Sequence, residues 1–300
     1  MSTAANNRLF LKLFGLFSVV RGYNILVITL AQYLSAIYIL SPELPVREVL
    51  FDPNLFLLVL SSGLTIAAGY IINNFYDSEK DLINRPRKTM LDRVVSQRTK
   101  IVFYFVLNFL SIIVASYVSF RAVLFFSIYI FGIWIYSHRL KKIPFIGNLT
   151  SAILAVTPFF AVFIYYANFE LVIFVHATFL FLVLAMREMV KDLENMRGDL
   201  AQNYRTIPIV FGERTAKSLL TALVGLTVIP IYLLINYFEI GHMYLYFYAS
   251  VVLLLLFLAL LWRSRSRPHY LLLHNILKLI VVAGVFCILL IDIDVVLNRI

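Results

Sequence analysis

Charge is scarce in this chain. Only 14% of its 300 residues are Asp, Glu, Lys or Arg, against about 25% in soluble domains. With 62% hydrophobic residues and a mean hydropathy of +0.90, too little polar surface remains to clothe a soluble fold. The same figures exclude a disordered chain. Cysteine is scarcer still: Cys287 stands alone, so no intrachain disulfide scaffold forms. No Cys or His cluster accompanies the acidic residues, so zinc or copper is not expected. Period-2 alternation is missing, which excludes a membrane barrel. No signal-peptide pattern is evident, because Arg21 and Asn24 interrupt the first apolar run and no small-residue cleavage site precedes a soluble domain.

What the chain does have is apolar blocks long enough to cross a bilayer, which takes about 20 helical residues. Nine are marked: 15–40, 55–76, 101–118, 122–137, 148–166, 170–188, 215–237, 243–262 and 271–291. The expected fold class is all-α, a polytopic bundle of nine transmembrane helices in one domain, residues 1–300. The fourth block is short, as a tilted or partly interfacial helix would be.

The net charge of +10 is unevenly placed. Of the 26 Lys and Arg, 22 fall at the N-terminal end (Arg8, Lys12, Arg21) or in the regions that follow the second, fourth, sixth and eighth blocks. The other side holds Arg47, Arg121 and Arg299, and Lys278 lies within the last block. Positive-inside logic puts the N-terminus and the basic loops in the cytoplasm and the C-terminus outside, in a multi-pass protein of the cell inner membrane. The basic balance thus reports topology, and nucleic acid is not an expected partner.

Two polar stretches, Asn73–Lys100 and Arg187–Thr215, hold nine of the 16 acids. Each follows an even-numbered block, and the two lie four blocks apart. That arrangement points to two four-helix pseudo-repeats plus a ninth helix. In the first, Asn73, Asp77 and Asp81 recur at i, i+4 and i+8. In the second, Glu188, Asp192, Asn195 and Asp199 recur at i, i+4, i+7 and i+11. Each set stacks on one helical face. Facing stripes of oxygen donors suit a hard divalent cation such as Mg²⁺, which takes one or two carboxylates and completes its shell with water and phosphate oxygens.

Basic residues accompany both stripes: Lys80, Arg85, Arg87 and Lys88 beside the first, Lys191, Arg197 and Arg205 beside the second. Arg139, Lys141 and Lys142 lie between. For Lys80, Arg87, Lys88, Arg93, Arg98 and Lys100 the topology role is the favoured reading. Carboxylates, Mg²⁺ and cations under an apolar bundle suit a diphosphate head with a hydrocarbon tail, the shape of a polyprenyl diphosphate. Mg²⁺ would make the diphosphate a better leaving group. The resulting allylic cation needs a dry, aromatic site. Tyr70, Phe75, Tyr76, Trp134 and Tyr136 flank the loops, although membrane packing is the commoner use of each.

These segments resemble the UbiA-type intramembrane prenyltransferases. Asn73-x-x-x-Asp77-x-x-x-Asp81 with Asn84-Arg85-Pro86 is similar to the first aspartate-rich motif of that family. Lys191-Asp192-x-Glu194-Asn195-x-x-Gly198-Asp199, then Arg205-Thr206-Ile207-Pro208, is similar to the second. Tyr136-Ser137 with Leu140-Lys141 and Gly147-Asn148, and Arg21-Gly22-Tyr23-Asn24, resemble two further segments. The resemblance implies nine helices around a central cavity with a cytoplasmic polar cap. It implies two Mg²⁺ ions held by Asn73, Asp77, Asp81, Asp192 and Asp199, the four aspartates being catalytic. It also implies substrate contacts from Arg85, Lys141 and Lys191, with Arg21, Asn24, Tyr136 and Asn195 as further substrate-binding positions. Two departures stand out: Asn195 replaces an aspartate common in the family, and Gly22 a proline.

Within the family, the Lys191–Pro208 and Leu140–Asn148 segments resemble the geranylgeranylglyceryl-phosphate geranylgeranyltransferase branch, whose acceptor is a glycerol hydroxyl. Arg139 and Lys142 would suit that acceptor's phosphate. An aromatic acceptor of the quinone type is the alternative, and a transporter the reading from another class. Expected partners are a polyprenyl diphosphate donor, a lipid-like or aromatic acceptor and membrane lipids.

Overall fold

The structure is a computed structural model that describes residues 15–292. Arg8, Lys12 and Arg299, counted in the charge asymmetry, lie outside the described residues. After a helical lead-in (15–20), Arg21 turns into the left-handed region (φ 51°) and the chain re-enters helix as α1, Gly22–Ser35, prolonged by a π-helical turn at Ala36–Leu40. There follow α2 (Val46–Leu50), α3 (Pro53–Asn84), α4 (Pro86–Asp92), α5 (Gln97–Val118) and α6 (Phe120–His138). A 3₁₀ turn at Leu140–Lys142 leads to α7 (Ile146–Tyr166) and α8 (Leu171–Ala201). Then come α9 (Ile207–Phe211), α10 (Glu213–Tyr237), α11 (Tyr244–Arg263) and α12 (Arg267–Cys287). Among the described residues there is no strand, and nine helical segments are long and apolar enough to cross a membrane, matching the nine expected blocks.

The helix ends follow from local chemistry. Asp52 caps α3 by accepting from the Asn54 N–H at 2.9 Å, with Pro53 in the first turn. Ser96 and Ser119 cap α5 and α6 in the same way. At the other end of α3, Arg85 leaves helical geometry because Pro86 disfavours it in the preceding residue.

Two helices are unusually long, α3 with 32 residues and α8 with 31. At 1.5 Å per residue each reaches roughly 46–48 Å, well beyond a hydrocarbon core of about 30 Å. The polar stretches after the second and sixth blocks are therefore not loops at their start. They are rigid continuations of membrane helices, and the stripes ride on them.

Polar contacts and small residues join the helices inside the bundle. The Ser61 hydroxyl donates to the Ser111 carbonyl and the Thr65 and Ser111 hydroxyls pair at 2.8 Å, fixing α3 to α5. The Gln32 amide of α1 donates to Ser62 and to the Pro158 carbonyl of α7. The largest apolar core runs through α8, α10, α11 and α12. Outward faces carry large exposed apolar residues such as Phe105, Phe109 and Leu255, as a lipid-facing surface requires. Helices α3 and α8 lie against one another, and this contact positions the site.

Candidate functional site

Helices α3 and α8 meet at Asn84. Its amide donates to the Asn195 carbonyl at 3.3 Å, and its carbonyl oxygen accepts from the Gly198 N–H at 3.1 Å. A Cβ at Gly198 would run into the Asn84 amide, so only glycine admits this approach. One residue on, Arg85 reaches across to Glu194 at 3.0 Å. These contacts set the two stripes face to face.

A third wall comes from the 3₁₀ turn after α6. Lys141 is buried there and donates to Asn73 Oδ1 at 3.1 Å and to Asp77 Oδ1 at 2.7 Å. Asn148, at the start of α7, donates to Asp192 Oδ2 at 2.7 Å. Tyr204, just past α8, donates its hydroxyl to Asp77 Oδ1 at 2.9 Å. Burial and the neighbouring Asp77 push the Tyr204 phenol well above its ordinary pKa, so it stays a proton donor. Together these residues enclose a polar cavity of about 30 Å³.

Lys80 departs from expectation. The topology reading treats it as a solvated loop charge, yet its side chain is only 12% exposed. Its ammonium bridges the stripes, 3.5 Å from Asp77 Oδ1 on α3 and 3.3 Å from Asp199 Oδ1 on α8. The tertiary contact between the helices turns it inward. Tyr204 covers it, with the ring centroid 4.5 Å from Nζ.

Under the polar cavity lies a larger one of about 400 Å³, walled mainly by apolar and aromatic side chains from α1, α3, α6, α7, α8, α11 and α12. Asn73, Tyr136, Glu188 and Lys191 line both cavities and form their junction. Lys191 donates to Glu188 at 2.9 Å, and Arg187 stands 3.4 Å from the same carboxylate. Arg21 and Asn24 belong to the larger cavity, gathered on Tyr70: the guanidinium carbon is 5.1 Å from the ring centroid and the Asn24 amide donates to the hydroxyl at 3.1 Å.

Of the residues singled out from the sequence, the structure gathers Asn73, Asp77, Tyr136, Lys141, Lys191, Asp192, Asn195 and Asp199 around the polar cavity. It sets Arg21 and Asn24 apart in the larger one. Asp81 and Arg85 line neither cavity. Arg139 and Lys142 are exposed and line neither. Among the aromatics, Tyr70 and Tyr136 face the chamber, whereas Phe75, Tyr76 and Trp134 pack in a separate apolar cluster. Sequence reasoning assigns no role to Tyr204 or Asn148, although they fall within the Lys191–Pro208 and Leu140–Asn148 segments. Lys80, three residues from Asp77, carries the helical spacing of a partner.

The donor set around the polar cavity consists of carboxylate, amide and hydroxyl oxygens, the ligands of Mg²⁺-like ions. Among the described residues no three His, Cys, Asp or Glu side chains already converge as a metal cage, because lysine ammonium groups stand between the stripes. Two cavity oxygens, Asn195 Oδ1 and Thr206 Oγ1, are buried with no hydrogen-bond partner. Unpartnered hard oxygens beside carboxylates fit a divalent cation that brings its own water and phosphate ligands.

The fold and site define a membrane bundle with a lipid-sized chamber that opens on a pocket of carboxylates and ammonium groups. The profile of the UbiA prenyltransferase family matches residues 24–272, and the chain belongs to that family. It is an integral, multi-pass membrane protein.

The chain is similar to digeranylgeranylglyceryl phosphate synthases. It is 34% identical over 164 residues to that of Thermococcus gammatolerans, covering 54% of this chain and 58% of that one. The match thus spans little more than half of that relative's length. With that of Thermococcus sibiricus the identity is 33% over 195 residues, covering 65% and 67%. With that of Methanobrevibacter smithii it is 28% over 259 residues, covering 83% and 87%. Among solved structures, a digeranylgeranylglyceryl phosphate synthase superposes with a TM-score of 0.69 at 22% identity, covering 92% of this chain and 97% of that one. A UbiA homologue from Archaeoglobus fulgidus, bound to GPP and Mg²⁺, gives 0.67 at 16% identity, covering 91% and 99%. Both show the same fold.

Proposed function

We propose that this protein transfers a prenyl group from a polyprenyl diphosphate to the free hydroxyl of geranylgeranylglyceryl phosphate, a step in ether-lipid synthesis. The observation that carries this reading is the junction: a polar pocket that suits a diphosphate shares Asn73, Tyr136, Glu188 and Lys191 with an apolar chamber that suits hydrocarbon chains. The names of the similar synthases and the GPP and Mg²⁺ bound by the Archaeoglobus homologue support it.

On this reading Asn73, Asp77, Asp192 and Asp199, with Asp81 one turn outward, would hold Mg²⁺. A divalent cation bound there supplies charge neutralisation for the leaving diphosphate. Lys141 and Lys191 contact the diphosphate, Arg85 braces α3 against α8, and Asn195 offers a neutral oxygen. The bond from the allylic carbon to the diphosphate oxygen breaks, and the acceptor hydroxyl oxygen bonds to that carbon. Tyr136, Tyr70 and Tyr129 present aromatic surface to the positive charge that develops on the allyl group. Glu188, the one carboxylate of the large chamber among the described residues, accepts the hydroxyl proton.

The pocket and the N-terminus face the cytoplasm and the C-terminus lies outside, a reading supported by the basic connections. In a Cys287→Ser background, Arg87→Cys and Arg197→Cys should react with an impermeant thiol reagent from the cytoplasmic side only. Labelling of both from outside reverses the orientation.

The test of function is an acceptor screen with radiolabelled geranylgeranyl diphosphate and purified protein. Geranylgeranylglyceryl phosphate should be alkylated in a Mg²⁺-dependent manner in preference to hydroxybenzoate and naphthoate acceptors. Preferred labelling of an aromatic acceptor would replace the ether-lipid reading.

A further inference from the structure

Lys278 lies about 16 Å along α12 from Arg267, a depth at which a charged side chain is costly and marks a task. It lines the large chamber, its ammonium 5.2 Å from the centroid of the Tyr23 ring. Arg21, two residues before Tyr23, lines the same chamber over Tyr70. Among the described residues neither cation has a carboxylate within ion-pair distance, and their direct contacts are with these rings. Arg187 of α8 joins them on the chamber wall: one end of its guanidinium stands 3.4 Å from Glu188, while its buried Nε has no partner. Among the described residues four cations, Arg21, Arg187, Lys191 and Lys278, thus line the chamber against the single carboxylate of Glu188.

Lys191 and Glu188 belong to the junction with the polar pocket. The remaining three cations belong to the large chamber alone. A hydrocarbon chain gives no reason for them, and a donor diphosphate seated on the carboxylate stripes makes no use of them. Aromatic faces shield the ammonium and one guanidinium and leave their charge available. In a chamber of low dielectric such charges attract an anion far more strongly than they do in water. Two guanidinium forks and an ammonium are the usual means of holding a phosphate.

We propose that Arg21, Arg187 and Lys278 form a second anion subsite, which grips the phosphomonoester of the lipid acceptor while the donor's diphosphate occupies the polar pocket. This deepens the function proposed above and rests on it. Separate cation sets keep two phosphate heads from repelling each other. They also leave the glycerol hydroxyl, next to the phosphate, free to meet the allylic carbon at the junction. The exposed Arg139 and Lys142 are not needed for it.

The experiment uses the full chain in phosphatidylcholine nanodiscs. Equilibrium binding is measured for geranylgeranylglyceryl phosphate and for its dephosphorylated alcohol, and turnover of the former is followed in the same discs. Wild-type protein should bind the phosphate ester at least tenfold more tightly than the alcohol. Lys278→Met should remove most of that preference and raise the acceptor KM tenfold or more, with a donor KM changed less than twofold. Lys278→Arg should restore the preference. Arg21→Gln, the second variant should Lys278→Met not fold, should weaken it as well.

A preference absent from wild type, or kept in Lys278→Met and Arg21→Gln, overturns the subsite. Competition by phosphatidylglycerol as effective as the acceptor's own does so too, since the cations would then read any bilayer phosphate. The two proposals separate cleanly. Wild-type turnover with the preference untouched by the variants overturns the subsite and leaves the function. A preference lost in the variants without any turnover leaves the subsite and overturns the acceptor assignment.

Discussion

Replacing Lys80 by methionine keeps its length and removes its charge. In the structure this ammonium stands 3.5 Å from Asp77 and 3.3 Å from Asp199, whose side chains are 7% and 2% exposed. Lys141 still reaches Asp77 in the variant, but Asp199 loses its ion-pair partner. Removing one member of a buried ion pair typically costs about 3–5 kcal/mol, because the other charge stays buried and uncompensated. At about 2–4 °C per kcal/mol for a chain of this size, the metal-free protein should melt on the order of 10 °C lower. Divalent cation should reverse most of the loss, since it can neutralise the same oxygens. The assay is thermal unfolding in detergent, with EDTA and then with excess Mg²⁺, for wild type, Lys80→Met and Lys80→Arg. A Lys80→Met variant that melts within a degree of wild type in EDTA refutes the view of Lys80 as the built-in counter-ion of the two stripes. An equal loss in EDTA and in Mg²⁺ refutes the link to the metal-holding oxygens.

Asp77→Ala and Asp199→Ala should each abolish prenyl transfer while the protein still inserts and purifies; near-normal turnover of either removes it from the catalytic set. Glu188→Gln should lower kcat by about a hundredfold, the smaller end of what a positioned proton acceptor contributes; an unchanged kcat assigns the proton elsewhere. Gly198→Ala drives a methyl group into the Asn84 amide. It should cost about 1–3 kcal/mol as an overpacked contact, read as a lower melting temperature, and Asn84→Ala in the same chain should relieve part of that loss.

The nine spans are legible in the sequence because hydropathy is a sum over neighbours in the chain. The stripes are legible for a similar reason: residues four apart share a helical face wherever the helix goes. Spacing alone therefore groups Asn73 with Asp77, and Asp192 with Asn195 and Asp199. Lys80 is misjudged from sequence, because its partner Asp199 is on another helix and only the packing of α3 on α8 reveals it. Tyr204 and Lys141 converge on Asp77 from separate segments, and no local spacing records that. Lys278 shows in the sequence as a charge inside an apolar block, without any sign of what it faces.

Composition and periodicity alone determine that this chain is a helical membrane protein with oxygen-rich faces at one end of two helices. Both properties depend on the order of residues within a turn or a span. The tertiary structure decides which charges meet: that Lys80 bridges the stripes, that Glu188 stands at the junction of two cavities, and that Arg21 and Lys278 line a chamber with no carboxylate partner among the described residues. Such facts depend on distances of a few ångströms between residues far apart in sequence, and helix packing sets those distances.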